Sequence, residues 1–294
     1  MGNITFIGLG IMGLNMAGHL IKSGHRVVGF DVSEHALSEH VKNGGVRADS
    51  AAAAVVGSNI IITMLPNGTI VRDAIFGVNG AIEAIEENTI LIDMSTIHPF
   101  ETDELRKDLK ERGVSMVDAP VGRTSVEAAM GTSLFMVGAQ KSDFNIAAPI
   151  LECMGDTIID CGGPGTGSRM KIVNNLMTTC LNVLTAQVLT FSESTGLDLD
   201  IAMSVMSGTA AGRGHMSTTY PTKVLKGDLT PAFMIDLAKK DLDIALALAE
   251  QLGVPLSIPK EAEMIYRQAQ GVGRGAQDWT AIYDMLRRDQ LVEK

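Results

Sequence analysis

Along the first half of the chain, short uninterrupted apolar runs alternate with longer segments in which apolar residues return every three or four positions. The short runs predict strands covered on both faces, and the three-to-four repeat predicts amphipathic helices. Strands are expected at residues 3–8, 26–31, 59–65, 89–94, 114–118, 133–137 and 157–161. Helices are expected at 12–23, 99–112 and 141–153, with a short one in the alanine run 51–54. This β–α rhythm predicts an α/β domain on a doubly wound sheet. The rhythm stops at Gly162-Gly-Pro-Gly-Thr-Gly167. Beyond that run, helical repeats fall at 168–195, 199–206, 234–251, 259–270 and 278–288, with no clear strand. Two domains are expected, residues 1–163 and residues 164–294, the second all-α and joined to the first by a long helix.

That long helix holds no proline and no internal glycine, and it stops at Gly196, a residue type suited to the left-handed turn after a helix. At ~1.5 Å per residue it is about 40 Å long. Met170, Ile172, Val173, Leu176, Met177, Leu181, Leu184 and Val188 make most of its surface apolar, which predicts burial. Such a surface also suits a subunit interface, so a homo-oligomer, dimer or tetramer, is expected. One stripe differs: Lys171, Asn174, Asn175, Thr178, Asn182 and Thr185 recur at helical spacing. Asparagine is a poor helix-interior residue, and two in a row cost stability. A polar stripe on a buried helix has to be paired, wet or turned toward a ligand. Lys171 is thus a candidate for chemistry, with a solvated face as the plain alternative.

Composition narrows the field. The 294 residues are 46% hydrophobic and 20% charged, the balance of a globular protein with a substantial core. A net charge of −10 argues against non-specific nucleic-acid binding and means that an anionic ligand needs local cations. Cys153, Cys161 and Cys180 show no disulfide or zinc spacing, and the six histidines show no metal pattern. No uninterrupted apolar run reaches membrane-spanning length, and no basic-then-apolar leader opens the chain. A cytoplasmic protein without metal, membrane or nucleic-acid partner is expected.

Gly8-Leu-Gly10-Ile11-Met12-Gly13 lies between the first strand and the first helix, and Asp31 ends the second strand. In that setting a G-x-G-x-x-G run is strong evidence for a dinucleotide site. The first glycine makes the turn, the second lets the backbone approach a pyrophosphate, and the third lets the helix pack on the strand. The helix N-terminus supplies donors for the anion. Asp31 would take ribose hydroxyls. The residues after it, Val32-Ser33-Glu34, offer no cation for a 2′-phosphate, so NAD is expected rather than NADP. Segments 64–67, 94–99 and 118–125 reach the same carboxyl edge of the sheet, where ligands bind in such folds.

Five segments together resemble the β-hydroxyacid dehydrogenase family: Phe6 to Gly13, Asp93-Met-Ser-Thr96, Asp118-Ala-Pro-Val-Gly122, Gly167 to Asn175, and Lys240-Asp-Leu242. The resemblance covers essentially the whole chain. It implies a Rossmann domain, a connecting helix and a helical domain, with hydride exchanged between a nicotinamide and a short hydroxyacid or its aldehyde. It implies cofactor positions at Gly8, Gly10, Ile11, Met12, Gly13, Asp31, Leu65, Thr96 and Lys240. It places Lys171 at the catalytic position, with Asn175 one turn on, and substrate positions at Gly122, Arg123, Thr124 and Asn174, Asn175, Leu176, Met177 and Thr178. From the residues alone, Lys240 and Asp241 read as a helical ion pair. Most members of the family carry Ser-Gly-Gly where this chain has Gly122-Arg123-Thr124, and Thr178 stands where a serine is usual. Arg123 implies a bulkier anion than a carboxylate, and a sulfonate is expected; a surface ion pair is the plain alternative. Arg213 and His215 lie in a glycine-rich segment that reads as an exposed loop. Rival readings are a reductase of another short semialdehyde and a non-catalytic protein that senses NAD.

Overall fold

The structure, a computed structural model, describes residues 2–292, with side chains to residue 288. In chain order the strands are β1 (Asn3–Ile7), β2 (Arg26–Phe30), β3 (Val46–Arg47), β4 (Ile60–Thr63), β5 (Ile90–Asp93), β6 (Ser115–Asp118), β7 (Val121–Gly122), β8 (Ser133–Gly138) and β9 (Gly155–Gly162). The helices are α1 (Ile11–Lys22), α2 (Glu34–Lys42), α3 (Ala51–Val55), α4 (Gly68–Phe76), α5 (Pro99–Lys110), α6 (Ser125–Met130), α7 (Lys141–Leu151), α8 (Thr166–Ser194), α9 (Leu199–Ser207), α10 (Ala210–Arg213), α11 (Ile235–Gln251), α12 (Ser257–Gly271) and α13 (Ala281–Val292).

The sheet runs β3-β2-β1-β4-β5-β6-β8-β7, with β9 beside β8. From β3 to β6 every pairing is parallel. Strand reversal follows: β8 runs antiparallel to β6 and to β7, then parallel to β9. Alternate strand residues feed opposite faces, as the two-residue period requires. Ile4, Phe6, Ile62, Ile92 and Val117 enter one apolar cluster, with Met16 and Leu20 of α1 and Leu151 of α7. Ile7, Ile61, Leu91 and Met116 enter the other, with Ile75 of α4 and Leu105 of α5. Both faces are therefore covered, which accounts for the uninterrupted apolar runs. Helices leaving the carboxyl edge are capped by side chains: Ser33 caps α2, Asn67 caps α4, His98 caps α5 and Thr124 caps α6. Gly10, ahead of α1, supplies no side-chain cap.

The chain divides into two compact units, Met1–Leu176 and Met177–Lys294. The second contains no strand among the described residues, as expected. Its apolar cluster is small: Ile235, Ala269, Ala281 and Met285. Asp278, fully buried, accepts from the amides of Ala232 and Phe233 and from Thr280, and so ties the loop before α11 to the turn before α13.

Two expectations are corrected here. The long helix is not buried: Met170, Ile172, Val173, Leu176, Met177 and Leu181 stand 40% to 65% exposed. Helical periodicity shows that a surface is apolar but not whether the same chain supplies its cover. By length and composition α8 would also suffice to cross a membrane, with a mean hydropathy of 1.2 in its best window. Threonine and asparagine interrupt its apolar residues without bringing the average down far. The strands β3 and β7, two residues each, were not expected either, being too short to show a period.

Candidate active site

The glycine turn between β1 and α1 is crowded at two positions and open at one. Gly8 has φ +98°, and a Cβ there would lie 2.3 Å from the Met64 carbonyl oxygen. A Cβ on Gly13 would lie 1.9 Å from the Gly8 carbonyl oxygen. Around Gly10 nothing lies within 4 Å of where a Cβ would stand. That division of labour is the one a pyrophosphate cradle requires: a turn, an open backbone edge, and a helix pressed on its strand. The uncapped first turn of α1 offers its amides to an anion. Ile11 is 78% exposed at the head of that helix, and Met12 packs against the core below it.

Asp31 is held by two backbone amides, Leu9 to Oδ2 at 2.7 Å and Ser33 to Oδ1 at 2.8 Å. Its carboxylate thereby stands fixed at the end of β2, beside the glycine turn. The next two strand ends are braced together. The Leu65 amide donates to the Ser95 hydroxyl at 2.9 Å, and Asp93 accepts from Thr63 at 2.8 Å and from the Ser95 amide at 3.0 Å. Thr96 is exposed at this edge. Burial pushes the Asp93 carboxyl up to about 6 against these hydrogen bonds. The cofactor positions of the first unit thus sit on a fixed edge, and the residues present fit a dinucleotide.

Lys171 projects from the start of α8, half-buried, and its Nζ donates to the Val121 carbonyl oxygen at 2.6 Å. Burial holds its pKa below the usual lysine value. The helix bearing it is anchored to the sheet by Asp118, whose carboxylate accepts from the Gly165 and Ser168 amides. Asn174 donates weakly to the Asn175 side chain at 3.4 Å, and Leu176, Met177 and Thr178 follow on the same exposed helix. The structure therefore brings Lys171 to the segment 118–124, while Asn174 is exposed.

Gly122, Arg123 and Thr124 lie where β7 gives way to α6. Gly122 packs under Leu134, 3.2 Å from where a Cβ would stand. Arg123 takes a left-handed backbone, φ 68°. Its guanidinium bonds the Thr132 carbonyl, Asp156 at 2.7 Å and Thr157 at 3.1 Å. The ion-pair alternative therefore describes Arg123 in the chain alone, because Asp156 on β9 is the carboxylate within reach. Thr124 spends its hydroxyl on the α6 capping box with Glu127. In the second unit, Lys240 pairs with Asp241 at 2.9 Å, as the residues alone suggested. His215 bonds Thr219 and lies edge-on to Trp279, while Arg213 is exposed. Among the described residues no cluster of three metal-ligating side chains occurs.

Asp93 and Asp118 had a signal of their own in the sequence: an acid closing a mostly apolar strand, where a buried charge has to be hydrogen-bonded.

Residues 3–163 match the model of the NAD binding domain of 6-phosphogluconate dehydrogenase, and residues 165–286 match that for NAD-binding of NADP-dependent 3-hydroxyisobutyrate dehydrogenase. The chain belongs to the β-hydroxyacid dehydrogenase family, that of the 3-hydroxyisobutyrate dehydrogenases. It is 48% identical to the 3-sulfolactaldehyde reductase of Escherichia coli K12, over 98% of this chain and 96% of that protein. It is 34% identical to the 2-(hydroxymethyl)glutarate dehydrogenase of Eubacterium barkeri, over 95% and 93% of the two chains. A solved Mycobacterium tuberculosis 3-hydroxyisobutyrate dehydrogenase aligns over 98% of this chain and 99% of its own, with a TM-score of 0.69 and 31% identity. As a β-hydroxyacid dehydrogenase, this protein is an NAD(P)-dependent oxidoreductase, with a Rossmann-like domain followed by a helical one.

Proposed function

We propose that this β-hydroxyacid dehydrogenase reduces 3-sulfolactaldehyde to 2,3-dihydroxypropane-1-sulfonate, using NADH, in the breakdown of sulfoquinovose in the cytoplasm. The observation that carries the substrate is the 48% identity, nearly end to end, with a reductase of that name. The arginine at position 123, where the wider family has glycine, supports it. A guanidinium carries five donors, and the three partners seen here take three of them. A tetrahedral sulfonate suits such a fork better than a glycine backbone does. In this reading Gly122 and Thr124 contribute backbone, and Asn174 and Thr178, four apart on α8, face the same anionic head together with Asn175, Leu176 and Met177.

NADH is preferred because Asp31 repels a 2′-phosphate. Arg47, a cation on β3, is paired with Glu34 at 2.9 Å and Asp49 at 3.2 Å. Gly8, Gly10, Ile11, Met12, Gly13, Asp31, Leu65, Thr96 and Lys240 hold the cofactor. When bound, the cofactor supplies a hydride to the aldehyde carbon. Lys171 holds the proton at Nζ that the resulting oxyanion takes up, and its burial makes that proton easier to release. The Val121 carbonyl orients the ammonium, and Asn175, one turn on, steadies the same oxygen. Residues 1–163 form the cofactor domain and residues 164–294 the substrate and oligomerisation domain. The exposed apolar face of α8 is covered by a second copy, in a dimer or tetramer.

A reductase of another short semialdehyde is the second reading. The bond between Arg123 and Asp156 favours it, because that carboxylate already balances the guanidinium's charge without a ligand. One assay separates the two: oxidation of NADH or NADPH with 3-sulfolactaldehyde or succinic semialdehyde, for wild type and Arg123→Gly. The sulfonated aldehyde and NADH are expected to be much preferred, with Arg123→Gly lowering kcat/KM for that aldehyde by roughly 2–5 kcal/mol. Equal rates with both aldehydes, or a preference that survives Arg123→Gly, would leave the second reading in place. NADPH used as well as NADH would overturn the cofactor preference.

A further inference from the structure

Asp118 is 3% exposed at the carboxyl end of β6. One carboxylate oxygen accepts from the Gly165 amide at 2.6 Å and the other from the Ser168 amide at 2.8 Å. Those amides straddle the start of α8, so a side chain from the sheet performs the service that a cap residue performs elsewhere. The spacing along the chain is telling. Val121 lies three residues beyond Asp118, and Lys171 lies three residues beyond Ser168. The lysine ammonium and the carbonyl oxygen that it meets therefore hang from one carboxylate by two short, equal lengths of backbone.

The packing around this junction leaves no slack. A Cβ on Gly167 would lie 2.3 Å from the Met136 carbonyl oxygen and 2.6 Å from that of Asp118. A Cβ on Gly138 would lie 2.6 Å from the Gly167 nitrogen and 2.7 Å from the Asp118 carboxylate. On the outer side α5 braces the same turn, through Thr102 to the Ser168 hydroxyl at 3.3 Å and Asp103 to Arg169 at 2.6 Å.

We propose that Asp118 is the positioning residue for Lys171: its ionised carboxylate fixes the first turn of α8 on the sheet and thereby sets the lysine ammonium against the Val121 carbonyl. The proposal rests on the reading of Lys171 as proton donor. Burial pushes the Asp118 carboxyl up to about 6, so the folded protein resists the very charge that it uses at neutral pH. By linkage, an acid whose folded pKa exceeds its ordinary 3.8 adds stability when protonated, and keeping it ionised costs stability above about pH 6. The titratable groups that act on it are Arg106 on α5, Arg169 on α8 and Cys161 on β9; Asp93 is its register partner on β5, Asp103 pairs with Arg106 and Arg169, and β8 contributes Gly138. As pH falls through about 6, the carboxyl becomes protonated, an acceptor is lost, and the grip on the two amides loosens.

The test is the pH profile of kcat, alongside NADH affinity from fluorescence titration, for wild type, Asp118→Asn, Asp118→Glu and Lys171→Ala. Asp118→Asn is expected to lower kcat on the order of tenfold to a hundredfold, the scale of a misplaced reacting group, with NADH affinity within about twofold of wild type. The acid limb near pH 6 is expected in wild type, retained in Asp118→Glu and absent from Asp118→Asn. Asp93 titrates in the same range but braces the cofactor edge, so its protonation is read in NADH affinity and not in kcat. A folded Asp118→Asn enzyme with wild-type kcat, or one that keeps the acid limb, overturns the proposal. So does a wild-type kcat that stays flat from pH 7.5 to 5, which decides the matter even if the variant does not fold. If Lys171→Ala is inactive while Asp118→Asn is not, positioning alone fails. If Lys171→Ala keeps its rate, the proton-donor reading fails and takes the positioning with it.

Discussion

In the first unit Ile4, Phe6, Leu20, Ile92 and Phe135 have no exposed surface at all. In the second, Ile201, Val205, Met216 and Ile244 stand 60% to 69% exposed around a cluster of only four buried residues. A sheet wound on both sides closes its own core with residues from one chain. A helical unit with a small core of its own leaves apolar stripes that close only when another surface meets them. Lys171, Asp118 and the glycine turn all belong to the self-contained unit, where positions are fixed by buried hydrogen bonds.

The largest expected effect tests that self-sufficiency. Phe135→Ala removes a fully buried ring from the sheet core and should cost about 3–5 kcal/mol in urea unfolding. A loss under about 1 kcal/mol would mean that this core is no more demanding than the second unit. Next comes the incomplete half. Ile201 and Val205 lie four apart on α9, both exposed. Replacing both with Asp should weaken self-association roughly thirtyfold or more, the ~2 kcal/mol of a central apolar contact, as read by sedimentation velocity. An unchanged sedimentation coefficient across dilution would remove the case for a covered face there. The smallest effect concerns His40, fully buried between α2 and β2, with Nε2 3.3 Å from the Val27 carbonyl oxygen and Nδ1 unpartnered. Burial holds its pKa below 6.5, so it stays neutral in the fold while the unfolded chain takes a proton. Its contribution is complete above about pH 6.5 and fades as pH falls toward its lowered value. Wild type should lose more urea resistance than His40→Leu between pH 7.5 and 5.5, and parallel losses would show that the histidine is not responsible.

What could be read from the sequence followed the same boundary. The strands that fill the first unit announce themselves because both faces are buried, which leaves Ile60-Ile-Ile and Ile90-Leu-Ile without polar interruption. The glycine turn was legible because each glycine answers a separate steric demand within six residues. Lys171 was legible as an oddity on an apolar helix. Other features depend on partners far along the chain, which no local pattern carries. Arg123 meets Asp156 across 33 positions, and Asp118 meets Ser168 across 50. The exposure of α8 was illegible for a different reason: an apolar stripe looks the same whether its cover comes from its own chain or from another.

Arg123 has one more consequence, on the scale of generations. Its left-handed backbone is a conformation that glycine adopts freely and arginine adopts at a penalty, on the order of 1 kcal/mol. A single base change turns many arginine codons into glycine codons. Selection for the anion that the arginine would meet, on the sulfonate reading, is what holds it against that penalty. On the sulfonate reading, a population grown without that substrate should be the place where position 123 reverts first.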